Sequence, residues 1–156
     1  MNTWFKTLLC AILSIALSTP ASAARVHLVG APTFDDLGEN IETCLTLAGL
    51  GNKDVTITVE VTGLAEVTYF NPGGKRPAGQ NKVPITEVSW ETLPSTQIKN
   101  GTVSVCLTSP DADVGDPPNP NWTTRIDDII FLEATITVVQ RGKVVLRTTV
   151  DLEEAD

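Results

Sequence analysis

The chain has 156 residues, of which 42% are hydrophobic, and 19 Asp plus Glu against 11 Lys plus Arg give it a formal net charge of −8. An acidic excess of this size repels phosphate backbones and anionic lipid, and its one compact basic cluster is Lys75-Arg76, so nucleic-acid binding is not expected. Aromatic content of 5% and a single histidine, His27, leave few ingredients for a sugar-cutting cleft or for imidazole chemistry.

The first stretch, 1–23, reads as a cleavable secretory signal peptide. Lys6 supplies the positive charge, 8–17 is a short apolar run, and Pro20 breaks it. Ala21-Ser22-Ala23 then offers the small residues that a signal peptidase accepts. The run is about half the ~20 apolar residues of a membrane span, so it predicts removal rather than a retained anchor. Cys10 sits inside the run, too early to become a lipidated first residue. The mature chain, 24–156, is expected to be one exported domain, secreted or periplasmic. Loss of Lys6 makes that domain one unit more negative.

Beyond the leader the hydrophobic period is two, in segments rich in Val, Ile and Thr, whose branching at Cβ suits a pleated surface. Weak strand signals cover 26–29 and 41–47. A strong one follows, where Val55, Ile57, Val59 and Val61 alternate with Thr56, Thr58, Glu60 and Thr62. The segments 65–70 and 83–90 are weaker. Alternation returns in Val103, Val105 and Leu107, in Leu132, Ala134, Ile136 and Val138, and in Val144, Leu146, Thr148, Val150 and Leu152. About eight strands with one wet face each predict an all-β antiparallel sandwich, immunoglobulin-like in the broad sense. Gln140-Arg141-Gly142-Lys143 predicts a tight hairpin, Asn100-Gly101 another tight turn, and 94–99 a short helical turn.

Two connections, 71–82 and 109–121, are dense in Pro, Gly and Asn and longer than most loops in compact domains. Within them and before them lie Gly49-Leu50-Gly51-Asn52-Lys53-Asp54-Val55, Asn71-Pro72-Gly73-Gly74 with Gly79-Gln80-Asn81, and Pro118-Asn119-Pro120-Asn121-Trp122. From about Asn40 to Val139, these motifs resemble a set of small secreted bacterial β-rich proteins. The resemblance implies an exported β fold and no particular activity. It also implies cysteines beside the two loops, where this sequence has Phe70 and Pro118.

Cys44 and Cys106 are the two cysteines of the mature chain, and an even count in an exported chain suggests a disulfide. Cys44 shares the polar face of its strand with Glu42 and Thr46, and Cys106 shares its own with Thr102, Ser104 and Thr108. Both thiols therefore point away from the core and meet if the two strands are neighbours in one sheet. The alternative is two free cysteines on separate strands.

Asp111, Asp113 and Asp116 crowd one loop. Oxygen ligands at this density can collect Ca²⁺, but the spacing lacks the EF-hand pattern. A solvated acidic loop, or pairing with Lys75, Arg76 and Lys82, are the competing readings, and no metal is assigned. Asp127-Asp128 is a weaker case, because neighbours on a strand face opposite ways. No catalytic or cofactor-binding set is assigned. The chain has no Gly-x-Ser-x-Gly elbow, His-Glu-x-x-His pair or phosphate-cradling loop, and His27 stands at the start of the domain. Trp90 shares a face with Val88 and is expected in the core. Trp122 is expected to pack its loop onto the sandwich. Two Asn-x-Thr matches, at Asn100 and Asn121, are taken as chance.

The sequence thus predicts a non-enzymatic structural or binding module that engages a protein or cell-envelope component through its two long loops. A Ca²⁺-stabilised adhesin-like module or surface-fibre subunit, and a small secreted hydrolase, are the alternatives.

Overall fold

The computed structural model describes residues 25–77 and 81–152. The leader, 1–23, lies outside the described residues, as do Gly79 and Gln80 of the second motif. Among the described residues the strands are β1 His27–Leu28, β2 Thr33–Asp36, β3 Ile41–Ala48, β4 Val55–Phe70, β5 Asn81–Leu93, β6 Val103–Thr108, β7 Thr123–Gln140 and β8 Lys143–Asp151. The expected helical turn is a 3-10 turn, Ser95–Gln97, entered where Asp54 Oδ1 accepts the Ser95 N–H at 2.8 Å.

In one sheet β3 is central, with β6 along one side and β1 and β2 sharing the other. Leu28 pairs with Leu47 near the end of β3, and Asp36 with Ile41 at its start. The two short strands are therefore one edge interrupted between them. The second sheet runs β5-β4-β7-β8, antiparallel throughout. The chain crosses between sheets at 49–54, 94–102 and 109–122, which gives an immunoglobulin-like sandwich. Leu45, Leu47 and Leu107 from the first sheet join Val55, Ile57, Val59, Val61, Ile136 and Val138 from the second in one buried cluster. Each such side chain stabilises the fold by roughly 1.5–3 kcal/mol on burial.

Both tight turns take the left-handed form that two-residue hairpins need: Asn100 and Gly101 have φ of 51° and 76°, and Arg141 and Gly142 have 56° and 71°. Gln140 pairs with Lys143 directly across the second.

Several features differ from the periodic reading. β4 is a single strand of 16 residues that continues through Gly63, joining what reads as two segments. β7 starts at Thr123 rather than near Leu132. It carries an extra residue opposite β4 at Leu132, because Thr62 pairs with Glu133 and Gly63 with Phe131. A bulge of this kind reverses the side-chain phase. Phe131 and Ile129 therefore go inward with Ala134 and Ile136, and Leu132 does not. The four-residue apolar run Ile129-Ile130-Phe131-Leu132 accommodates either phase, which is why the sequence does not show the switch.

Trp90 is a further correction: it is 68% exposed. On β5 the buried set is Ile85, Glu87, Ser89 and Leu93, while Val88 and Trp90 face water. β5 is an edge strand, and its inner face meets polar main chain: the Asp113 N–H donates to Glu87 Oε1 at 3.1 Å. A carboxylate can satisfy that N–H and an indole cannot.

Gly63 lies where β4 passes closest to the bulge. A Cβ added there would stand 2.7 Å from the Ile130 carbonyl oxygen, which is main chain and cannot swing aside. Gly63→Ala should cost about 1–3 kcal/mol. Urea unfolding of the variant checks this, and an unchanged midpoint would show that the ribbon has room.

Candidate functional site

Cys44 and Cys106 stand directly opposite each other on β3 and β6 and form a disulfide, with Cα atoms 4.0 Å apart. The bridge lies on the outer face, beside Thr46 and Ser104, whose hydroxyls hydrogen-bond at 2.8 Å. It therefore joins two strands of one sheet and leaves the core untouched. Glu42, Cys44 and Cys106 are close enough to suggest a metal site by geometry, but both sulfurs are consumed in the bridge.

The connection 109–122 is a strap rather than a free loop. The Ser109 N–H donates to the Ile41 carbonyl, and Ser109 Oγ accepts the Ile41 N–H. The Ala112 N–H donates to the Glu39 carbonyl at 2.8 Å. Ala112 and Val114 pack against the buried cluster. Asp111 accepts from the Asn40 side chain at 2.9 Å, and Asp113 caps the Gly115 N–H at 2.8 Å. Asp111, Asp113 and Asp116 do not gather into a ligand set among the described residues. Nor do Lys75, Arg76 and Lys82 pair with them: Lys82 bridges Glu66 at 3.2 Å, and Arg76 donates to Thr68. The strap ends in the Pro118-to-Trp122 motif, a turn in which Asn119 Oδ1 accepts the Asn121 N–H and the Trp122 N–H donates to the Asn119 carbonyl. Trp122 is half-buried there. The Asn71-Pro-Gly-Gly motif is closed in the same way, with Asn71 Oδ1 accepting from the Gly73 and Lys75 N–H groups.

Phe70 pairs with Thr123, so both connections reach one end of the long ribbon. A second bulge sits near that end, and Asp127 is its extra residue: Glu66 pairs with Asp128 and Val67 with Ile126. Asp127 accepts from the Thr68 hydroxyl and forms an ion pair with Arg125 at 2.6 Å. Arg125 also lies over the Phe70 ring, 5.2 Å from its centre. The hydrogen bond from Thr68, then that from Arg125, hold the Asp127 carboxyl below the ordinary carboxylate range. The bulge thus turns one carboxylate of the Asp127-Asp128 pair into a structural ion-pair partner.

The outer face of β5-β4-β7-β8 is different in character. Trp90, Thr58, Thr137 and Arg147 form one row across the four strands, and Val88, Glu60, Thr135 and Thr149 the next. Neighbouring strands are ~4.8 Å apart, so each row spans about 14 Å. Thr56 bonds Thr92 at 2.9 Å, and Thr135 bonds Thr149 at 3.0 Å. The result is a field of hydroxyls with one exposed indole at its edge and Val88, 44% exposed, beside it. Sequence reasoning missed this surface because Val88 and Trp90 look like the apolar side of their strand. No signal within β5 settles the phase, because Val83, Ile85 and Leu93 share one face and Val88 and Trp90 the other, and Glu87 favours the wrong one.

His27, the lone histidine, sits exposed and donates from Nδ1 to the Arg25 carbonyl two residues back.

No protein-family model matches the chain, and a search of curated proteins finds no match. Among solved structures, one match is a chain titled as a β-galactosidase from Bacteroides fragilis, at 13% identity and a TM-score of 0.31. It covers 83% of this chain, while this chain spans 16% of that one. A likeness at this level carries no argument about activity.

Two outcomes are expected. The disulfide joins residues 62 apart in sequence, and its loss should cost about 4 kcal/mol on the chain-entropy account. Thermal unfolding of a Cys44→Ser, Cys106→Ser double variant measures the loss, and an unchanged melting temperature would contradict it. Asp127 has a depressed folded-state pKa, so its contribution is present above the unfolded value of about 4 and lost as pH falls through the folded value. The stability gap between the native chain and Asp127→Asn should be constant near neutrality and close below about pH 4. A gap that persists into strong acid would mean that ionisation of Asp127 is not what stabilises the bulge.

Proposed function

We propose that this chain is a non-enzymatic β-sandwich module that works outside the cytoplasm, secreted or periplasmic, and binds a polysaccharide component of the cell envelope. The observation that carries the reading is the exposed Trp90 on a hydroxyl-rich sheet face. A protein partner's contact surface would favour a contiguous apolar centre. Here the indole has one apolar neighbour, Val88, and otherwise stands among Thr58, Thr137, Glu60 and Arg147, so its flat face suits the C–H face of a sugar ring, and the hydroxyl and charged neighbours suit ring hydroxyls.

The disulfide supports the compartment, because such bonds persist where the milieu is oxidising. No helix among the described residues is long and apolar enough to cross a membrane. The leader expected over 1–23 and the resemblance to secreted bacterial β-rich proteins agree with export. The 109–122 strap is better suited to structure than to recognition, since its Ala112, Val114 and main-chain bonds close the sandwich. Deleting 111–116 is therefore expected to lower the melting temperature.

Co-sedimentation with purified murein sacculi, together with titration by a soluble N-acetylglucosamine oligomer, tests the reading. Trp90→Ala should reduce binding about tenfold and leave unfolding unchanged, because the ring is 68% exposed. Retention of both probes by the variant, or their absence from the native chain, would overturn the assignment of this face.

A further inference from the structure

A second feature lies at the end of the sandwich away from the strap and separate from the Trp90 face. The 49–54 crossing, the Asn100-Gly101 turn and the Arg141-Gly142 turn meet there around an open cleft of about 930 Å³. Arg25, Arg141 and Lys143 stand on its rim, and Val26, Leu50 and Val145 line it below. In a chain of net charge −8, no Asp or Glu among the described residues lines this cleft. The ion pairs Lys82–Glu66 and Arg125–Asp127 lie elsewhere, and among the described residues lining the cleft no carboxylate stands against the three cations. Arg141 makes a long hydrogen bond to Asn52 Oδ1, at 3.4 Å.

The walls are built rigidly. Gln140 is buried, and its side chain bonds the Gly51 N–H, the Gly51 carbonyl and the Lys53 carbonyl. The Leu50 N–H donates to the Gly101 carbonyl at 3.0 Å, and a Cβ on Gly101 would come within 3.0 Å of the Leu50 carbonyl oxygen. Arg141 holds a φ of 56°, a conformation that hairpin turns usually give to Asn, Asp or Gly. A guanidinium at that position costs local backbone energy that an Asn would largely avoid.

We infer that this cleft is a binding site for an organic polycarboxylate of sugar-acid type, such as a uronic-acid oligosaccharide. Three cations without a carboxylate against them attract carboxylates, and the hydrogen-bonded main chain below fixes where they start from. The aliphatic lining needs a ligand with C–H surface as well as charge, which inorganic phosphate lacks. A cleft of this volume lies within the range of small-ligand pockets, and a short oligosaccharide fits that range.

Calorimetric titration of the purified protein with trigalacturonate, a neutral trisaccharide of equal length and inorganic phosphate tests this. Trigalacturonate should bind at least about tenfold more tightly than either control, and raising the salt should weaken it. Lys143→Gln and Arg141→Asn should each reduce its affinity about tenfold. Asn keeps the left-handed turn, so the second variant should stay folded. Trp90→Ala should leave trigalacturonate binding unchanged, which separates this site from the proposed polysaccharide face. Equal binding of the neutral sugar or of phosphate, no binding at all, or affinity untouched by both rim variants would overturn the inference.

Discussion

The two sheets differ in length, and the rest of the molecule answers to that difference. β4 and β7 run 16 and 18 residues, whereas β3 and β6 run 8 and 6. A short sheet cannot cover the inner face of a ribbon twice as long. Ala65, Val67, Ile129 and Phe131 are nevertheless buried in the far half of that ribbon. The strap, with Ala112 and Val114 packed against the cluster, supplies cover where there is no strand to do so. Main chain brought against a sheet face needs acceptors, and Glu87 on β5 is one of them. The buried carboxylate and the exposed Trp90 three residues along the strand are thus consequences of one mismatch.

The bulges belong to the same account. A ribbon this long accumulates twist, and an extra residue on one strand lets it bend and re-aim its side chains. At Leu132 the bulge resets which residues face inward, and the freed Leu132 carbonyl accepts the Leu152 N–H at 2.9 Å. At Asp127 it places a carboxylate beside Thr68 and Arg125, so that the ribbon end is held by polar bonds as well as by the burial of Val67. The disulfide acts on the other sheet, tying β3 to β6 from outside where the inner face is already full.

Charge follows this division. Asp36, Asp111 and Asp113, from the β2–β3 turn and the strap, are engaged in hydrogen bonds in one region of the sandwich, with the Gly38 N–H, the Asn40 side chain and the Gly115 N–H. Arg25, from the start of the domain, joins Arg141 and Lys143 of the last hairpin at the other end. An overall acidic protein thereby acquires a local positive mouth, a distribution that net charge conceals.

The amino-acid sequence by itself determined the period-two strands, the two left-handed turns, the 3-10 turn and the outward phase of Cys44 and Cys106. These depend on backbone preferences and on neighbours within a few residues. Tertiary structure alone decided which side of β5 faces inward, where β7 changes phase, that Asp111 and Asp113 make hydrogen bonds within a strap, and that Arg25 shares one cleft with the Arg141-to-Lys143 turn. The physical reason is that alternation names two faces without saying which one meets protein. That choice belongs to the element packed opposite, and for Glu87, Trp90 and Leu132 that element lies far away along the chain.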